Sequence, residues 1–183
     1  LFYIYYSDNK SELENPDPTG QGVRFERIQD LNRKAVALKE EVLSVSLNKV
    51  IKDGIHRIEV RFAKSNQLGH SFGSVGIVKA GYKIPYPCDS SSEPHNLNML
   101  DYFGHRGEIY FKGTTTLGNV QFSDGQLIAM ELNADVGTLH FFVDGIQQPF
   151  YIYRKDSSFS IVSVKKLPVP TAKTLPNEKV IQW

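Results

Sequence analysis

The residues best suited to catalysis are few, and their spacing is poor. His70 stands directly before Ser71, but neighbouring residues of a strand point to opposite faces, so the imidazole could not take the hydroxyl proton there. The Gly-x-x-x-x-Gly-Lys-Ser/Thr loop that cradles phosphates is absent from the sequence. His140 and Glu131 could form an acid–base pair only by meeting across paired strands. The sequence therefore predicts a protein that is not an enzyme.

The residues with the strongest metal-ligand character are Cys88, His95 and His105. Their spacings match no common zinc module. Cys88 is the only cysteine, which excludes an internal disulfide. Its neighbours Pro87 and Asp89 provide no positive charge that would activate the thiol. We predict that the protein holds no metal and no cofactor, and that Cys88 is a passive loop residue.

The overall charge and composition argue against two classes of partner. Lys and Arg number 21 against 20 Asp and Glu, a formal net charge of +1, so no basic excess attracts nucleic acid. No segment reaches the ~20 apolar residues that span a bilayer, and the opening run 1–6 is too short and too aromatic for a signal peptide. We expect no membrane insertion and an intracellular location, in the cytoplasm or the nucleus, as part of a larger protein.

Short strands separated by Gly and Asp turns must position any functional residue. The clearest strand, 56–62, alternates apolar and charged residues with a period of two. The predicted strands are 43–47, 56–62, 72–78, 107–111, 120–122, 127–132, 138–143, 150–153 and 159–164. Segment 33–43 fits a helix as well as a strand. Alternation also places Glu131 on the face opposite its neighbours, exposed and paired with a Lys or Arg. Strands at intervals of about ten residues indicate an antiparallel sandwich or barrel.

An ordered series of blocks between Val23 and Leu167 resembles the SPRY domain family. The blocks are Asp53–Val60, Ser74–Val78, Tyr102–Gly113, Asn133–Gly145 and Phe159–Val164. The resemblance implies an all-β, bent two-sheet antiparallel β-sandwich, similar to a concanavalin-like jelly roll. It implies one domain over 1–183 with a core of 23–167, on which the extensions 1–22 and 168–183 pack. The terminal runs 1–6 and 179–183 are predicted strands that pair with each other or with a neighbouring chain.

The same resemblance implies a non-catalytic module that binds a peptide or protein partner through rim loops, within a larger assembly. The long connection 81–106 is rich in the aromatic and Arg side chains that dominate interfaces. The candidate partner-binding residues are Tyr82, Tyr86, Tyr102, His105, Arg106, Lys165 and Lys166. The alternative is a lectin-like sandwich, in which Tyr82, Asp89 and Asn96 would form a platform for a sugar.

Overall fold

The structure is a computed structural model that describes residues 2–5, 12–28, 32–48, 50–153, 159–161 and 165–182. Over these ranges the chain forms nineteen strands and one short 3₁₀ helix, His95–Leu97. The first ten strands are β1 (Phe2–Tyr5), β2 (Leu13–Glu14), β3 (Val23–Arg27), β4 (Arg33–Ala37), β5 (Ser46–Leu47), β6 (Val50–Ile51), β7 (Ile55–Phe62), β8 (Asn66–Gln67), β9 (His70–Ser71) and β10 (Ser74–Lys79). The others are β11 (Met99–Phe103), β12 (Glu108–Phe111), β13 (Thr114–Leu117), β14 (Ile128–Asn133), β15 (Thr138–Val143), β16 (Ile146–Tyr153), β17 (Phe159–Ile161), β18 (Lys165–Leu167) and β19 (Lys179–Gln182).

A nine-stranded sheet forms one layer of the sandwich. Its order is β19-β16-β15-β14-β7-β1-β4-β3, and β18 also pairs with β7. All of its pairs are antiparallel except β16 with β19. Ile58 of β7 lies opposite Met130 of β14, which lies opposite Phe141 of β15. Since residues that face each other across strands share a side of the sheet, these apolar side chains form one continuous inner face.

A six-stranded sheet, in the order β13-β12-β11-β10-β17-β6, forms the second layer. Val75, Leu100, Tyr102 and Ile109 of this sheet belong to the same buried cluster as the inner face of the first sheet. The core therefore lies between two antiparallel sheets. The prediction of an all-β two-sheet sandwich is confirmed.

Strand β15 forms hairpins with β14 and with β16, and the second of these hairpins has the turn geometry that its sequence predicts. Asp144 and Gly145 both take positive φ, 49° and 81°, as the tight turn after β15 requires and as Asp-Gly pairs allow. Leu139, Phe141 and Val143 are buried at 1%, 0% and 5% exposure. These three side chains fix the register of the hairpin, because a shift by one residue would expose all of them.

Several secondary-structure predictions differ from the structure. Segment 33–43 begins as strand β4 rather than as a helix, and 38–45 then leaves the sheet. Only Ser46–Leu47 of the predicted strand 43–47 is therefore a strand. The predicted strand 120–122 is irregular, because Val120 donates its amide to the side chain of Gln148 instead of to a strand. The strand of this region is β13, formed by the Thr-rich run that the sequence presented as a turn. Residues 162–164 of the last predicted strand lie outside the described residues.

Both chain ends contribute strands, but the two strands do not pair with each other. β1 lies inside the nine-stranded sheet, between β7 and β4. β19 lies at the edge of the same sheet and runs parallel to β16. The prediction that the terminal strands pair with each other is therefore wrong, because they join the nine-stranded sheet at different places. The alternative, pairing with a neighbouring chain, stays a prediction. Residues 1, 6 and 183 lie outside the described residues.

Candidate partner-binding groove

A cavity of about 760 Å³ lies against the face of the six-stranded sheet that points away from the core. We call it the outer groove. Strands β10 to β13 supply Ser74, Gly76, Asp101, Phe103, Glu108, Tyr110 and Thr115. Segments 40–46 and 89–91, together with Phe72 and Arg106, also line the groove. The cavity continues towards the core, where Phe62 and Met130 also line it. Its size is within the range of about 300–1,000 Å³ that binding sites for small ligands occupy.

Strand alternation makes the floor of the outer groove polar. Leu100 and Tyr102 of β11 point into the core, so Asp101 between them points outwards into the groove. Asp101 lies opposite Gly76 on β10 and opposite Tyr110 on β12. A side chain at Gly76 would collide with the carbonyl oxygen of Leu100. The glycine is therefore required where the two strands approach closely, and it leaves the space above Asp101 open.

Asp101 is a carboxylate in an unfavourable environment. Burial raises its pKa to about 6, and the charges of Asp89 and Glu108 act in the same direction. Hydrogen bonds from the hydroxyls of Ser74 and Ser90 oppose the shift. Although the side chain as a whole is only partly buried, its Oδ1 is shielded from solvent and accepts no hydrogen bond. Near neutral pH the groove therefore holds a negative charge with unused hydrogen-bonding capacity.

Glu108 places a second buried carboxylate beside the first. It is 7% exposed, and its Oε2 lies 3.3 Å from Nε of Arg106 without the alignment of a hydrogen bond. The side chain of Arg106 is 59% exposed. Five carboxylates line the groove: Glu40, Glu41, Asp89, Asp101 and Glu108. Arg106 is the only Lys or Arg among the described lining residues, so the groove carries an excess of negative charge.

Two loops joined to each other form one wall of the groove. The amide of Cys88 donates to the carbonyl of Val42 at 3.3 Å, and the hydroxyl of Ser44 donates to the carbonyl of Cys88 at 3.0 Å. The hydroxyl of Tyr86 donates to Glu41 at 2.5 Å; this hydrogen bond raises the pKa of Tyr86 to about 12. These bonds connect chain segments more than forty residues apart and hold the wall against the sheet.

Beside the groove, three rings form a partly exposed cluster that we call the aromatic edge: Phe72, Phe103 and His105. Phe72 is 44% exposed. Its ring meets Phe103 edge-on at 5.5 Å and lies 4.5 Å from the ring of His105. Such contacts contribute about 0.5–1.5 kcal/mol each beyond area burial. An exposed large apolar side chain held in a fixed position is typical of a contact surface.

Among the residues predicted to bind a partner, Arg106 lines the groove, and His105 belongs to the aromatic edge through its contacts with Phe72 and Phe103. Tyr86 belongs to the loop wall, where Glu41 engages its hydroxyl. Tyr82 packs against a small apolar cluster that includes Met99, and its hydroxyl lies 2.6 Å from Nδ1 of His95. Burial raises the pKa of Tyr82. Tyr82 and Tyr86 thus stabilise the loop that forms this wall of the groove, and each is partly buried by its contacts.

Tyr102 was wrongly predicted as a partner-binding residue. It is 0% exposed, and its ring packs against Phe122 and Phe141 at 5.3 and 5.2 Å. Its hydroxyl donates to the carbonyl of Val120, so a partner could not reach it. Because side chains alternate along a strand, it is the preceding residue, Asp101, that points outwards.

Lys165 and Lys166 form strand β18 and pair with Arg57 and His56 in the nine-stranded sheet. Their side chains lie outside the described residues, so their predicted contact with a partner stays a prediction. The floor of the outer groove belongs to the other sheet.

No protein-family model matches the chain, and no curated protein matches it. Among solved structures, the SPRY domain of human HERC1 is similar to this chain. The two share 17% sequence identity, and the match covers 66% of this chain and 75% of that chain with a TM-score of 0.46. The sandwich itself is established by the strands and their pairing described above.

The side chains whose chemistry could serve catalysis are instead held in contacts that stabilise the fold. Gly69–Gly73 has the Gly-x-Ser-x-Gly spacing of a nucleophile turn. Ser71 is 0% exposed, its Oγ lies 2.6 Å from the hydroxyl of Ser65, and the strand pair β8–β9 holds it instead of a strand–turn–helix. The serine is therefore a buried structural residue.

Glu131 and His140 do lie opposite each other on β14 and β15, but Glu131 is bonded elsewhere. It is 1% exposed, which overturns its predicted exposure. Its carboxylate accepts hydrogen bonds from the amides of Thr171 and Ala172 at 2.8 and 2.9 Å and lies 3.6 Å from Arg57. The predicted Arg partner is correct, and the reason for the burial is that the C-terminal segment covers this face of the sheet.

The three residues with metal-ligand character lie apart. Cys88 is buried against Met99, with the two sulfur atoms 3.9 Å apart, and burial raises the pKa of its thiol. His95 contacts Tyr82, whereas His105 belongs to the aromatic edge. Across the described ranges, no group of three or more His, Cys, Asp or Glu is placed to hold a metal ion.

Sequence reasoning missed Asp101, Glu108 and Phe72. Residues 81–106 were interpreted as one connection, although the structure places strand β11 within it. Period-two alternation in Met99–Phe103 was the available signal, because it separates inward Leu100 and Tyr102 from outward Asp101. No signal in the sequence could pair Asp101 with Glu108, since their proximity depends on the pairing of β11 with β12.

Proposed function

We propose that this chain is a single, non-catalytic interaction domain that binds a peptide or a protein partner at the outer groove and the aromatic edge. The observation that carries the proposal is the aromatic edge itself. Phe72 exposes 44% of its surface while Phe103 and His105 hold its ring in place, directly beside the groove.

The composition of this surface supports a polypeptide partner. Aromatic and Arg side chains provide most of the binding energy in protein interfaces, and here Phe72 and Arg106 line the same cavity. Rigid sheets that carry adaptable loops are a common scaffold for recognition. The lectin alternative finds less support, since Asn96 is 4% exposed and the carboxylate of Asp89 is occupied by Ser91 and Ser92.

Charge disfavours nucleic acid as the partner. A phosphate backbone needs a basic surface, whereas the outer groove has five carboxylates and one Arg among its described lining residues. The described residues contain no helix that is long and apolar enough to span a membrane. An intracellular location within a larger protein remains part of the proposal.

The test is affinity capture from a native cell extract with three forms of the domain. The test variant is Phe72→Ala/Arg106→Ala, which removes the exposed ring and the guanidinium. The matched control is Ile146→Ala, which removes a 70% exposed apolar side chain from the other sheet. We expect specific proteins that bind the wild type and the control but bind the test variant at least tenfold more weakly. Equal retention by all three forms would refute this surface as the interface.

A further inference from the structure

We infer that the outer groove accepts a basic side chain, Arg or Lys, of the partner polypeptide between Asp101 and Glu108. This inference rests on the proposed function, because it names the chemistry of the partner at the same groove. It depends on an arrangement of four neighbouring side chains on β11 and β12.

The four side chains form a square on the outward face of the sheet. Asp101 lies opposite Tyr110, and Phe103 lies opposite Glu108. The two carboxylates therefore occupy one diagonal and the two aromatic rings the other, and all four line the groove. Diagonal neighbours of an antiparallel pair are about 7–8 Å apart, a distance that lets one bound cation contact both carboxylates.

Each kind of side chain in the square attracts a cation. Carboxylates form charge-assisted hydrogen bonds with ammonium and guanidinium groups, and aromatic faces attract cations within about 6 Å of the ring centre. A guanidinium is planar, so it can donate hydrogen bonds to a carboxylate and stack on an aromatic ring at the same time. A neutral apolar ligand would use only the rings of Phe103 and Tyr110 and would leave the acids without compensation.

Both carboxylates have an oxygen that lacks a hydrogen bond. Oδ1 of Asp101 and Oε2 of Glu108 are shielded from solvent, and neither accepts a hydrogen bond from the described residues. Buried acceptors in this condition cost about 1–3 kcal/mol each, and more when they are charged. Arg106 already lies 3.3 Å from Glu108, but it is 59% exposed, so it can turn towards solvent as a ligand enters. Donors from the ligand would satisfy both oxygens.

The surrounding charges favour the same ligand. Asp89, Glu40 and Glu41 also line the groove, and Arg106 is the only Lys or Arg among its described lining residues. Burial, with the charges of Asp89 and Glu108, raises the pKa of Asp101 to about 6. A basic ligand binds the ionised carboxylate, so its affinity should increase as the pH rises through 6.

The test is a titration of the ¹⁵N-labelled domain with three small probes, followed by NMR at pH 7.5. The probes are the N-acetyl methylamides of arginine, lysine and citrulline; citrulline has nearly the shape of arginine without its charge. We expect arginine, lysine or both to shift the amides of Gly76, Asp101 and Tyr110, and citrulline to bind at least tenfold more weakly. Affinity for the basic probe should fall by up to about tenfold between pH 7.5 and pH 5, because protonation of a carboxyl with a pKa of about 6 removes most of its charge over this interval.

The matched variants are Asp101→Asn, which removes a charge from the square, and Glu93→Gln, which removes one from an exposed position outside it. Only the first should weaken the basic probe, by tenfold or more. Equal binding of citrulline, or unchanged binding by Asp101→Asn, would overturn the inference.

This outcome can be separated from that of the proposed function. If captured proteins depend on Phe72 and Arg106 but no basic probe binds, the interaction domain stands and the cation site fails. If the probe binds at the square but the captured proteins bind equally well without Phe72 and Arg106, the cation site stands and the proposed interface fails.

Discussion

Replacement of Asp101 by Asn should stabilise the domain at neutral pH, although it removes a group that we assign to binding. The pKa of Asp101 is about 6 in the folded protein, against 3.8 as the ordinary value. A shift of about 2 units, at about 1.4 kcal/mol per unit, gives about 3 kcal/mol. The amide oxygen of Asn can still accept the hydrogen bonds of Ser74 and Ser90, so the substitution removes mainly the cost of the buried charge.

The sign of the pH dependence follows from which state binds the proton. Between pH 4 and pH 6 the folded protein holds a proton on Asp101 that the unfolded chain has released, so the wild type loses stability as the pH rises through this window. Above pH 6 both states are ionised and the full cost is present. Below pH 4 both states are protonated and the cost is absent.

The assay is denaturant and thermal unfolding of wild type and Asp101→Asn at pH 4 and pH 7.5. We expect the variant to gain about 3 kcal/mol, or roughly 6–12 °C in Tm, at pH 7.5 and almost nothing at pH 4. Glu93→Gln serves as the control and should change little at either pH. A gain that is equal at the two pH values, or absent at both, would refute the argument from the buried charge.

Two further substitutions and one deletion test the fold. Phe141→Asp should abolish folding, because the loss of a buried ring costs about 3–5 kcal/mol and the new carboxylate lies against Tyr102 without a partner; a normal melting curve would contradict the position of this strand. Deletion of residues 1–6 should cause a large loss of Tm or insolubility, since β1 lies between two strands, and an unchanged Tm would show that β7 and β4 do not need it. Glu131→Gln should cost about 2 kcal/mol and speed hydrogen exchange at Thr171 and Ala172, whereas unaltered exchange would show that Glu131 does not hold the C-terminal segment.

The period-two alternation of apolar residues was sufficient to predict the strands that lie in the middle of the sandwich. The strand 56–62 and the hairpin 127–143 have one apolar face, and burial enforces that face, so period and register agree with the sequence. Strand β13 was missed because its Thr-rich run is exposed on both faces and carries no alternation. Phe122 was assigned to a strand because it is apolar, but it fills the core from an irregular segment, where its ring stacks on Phe62.

The candidate site was only partly predictable for the same reason. His105 and Arg106 were accessible to sequence reasoning because aromatic and Arg residues in a connection are typical of interfaces. Asp101 and Glu108 were not, since an isolated acidic residue is usually a solvated surface charge. Their significance comes from strand pairing between β11 and β12, which brings residues seven apart onto adjacent positions of one face.

The position of β1 inside the sheet also suggests a way to split the domain into two fragments. Residues 2–4 pair with β7 on one side and with β4 on the other, and Tyr5 pairs with β7. A protein without this strand would present a gap one strand wide, with unpaired backbone donors and acceptors on each side. A free peptide of the same sequence has the geometry to fill that gap and complete the sheet. Mixing this peptide with the rest of the domain should therefore restore the fold. The first strand could then serve as a peptide tag whose binding reports that the two fragments have assembled.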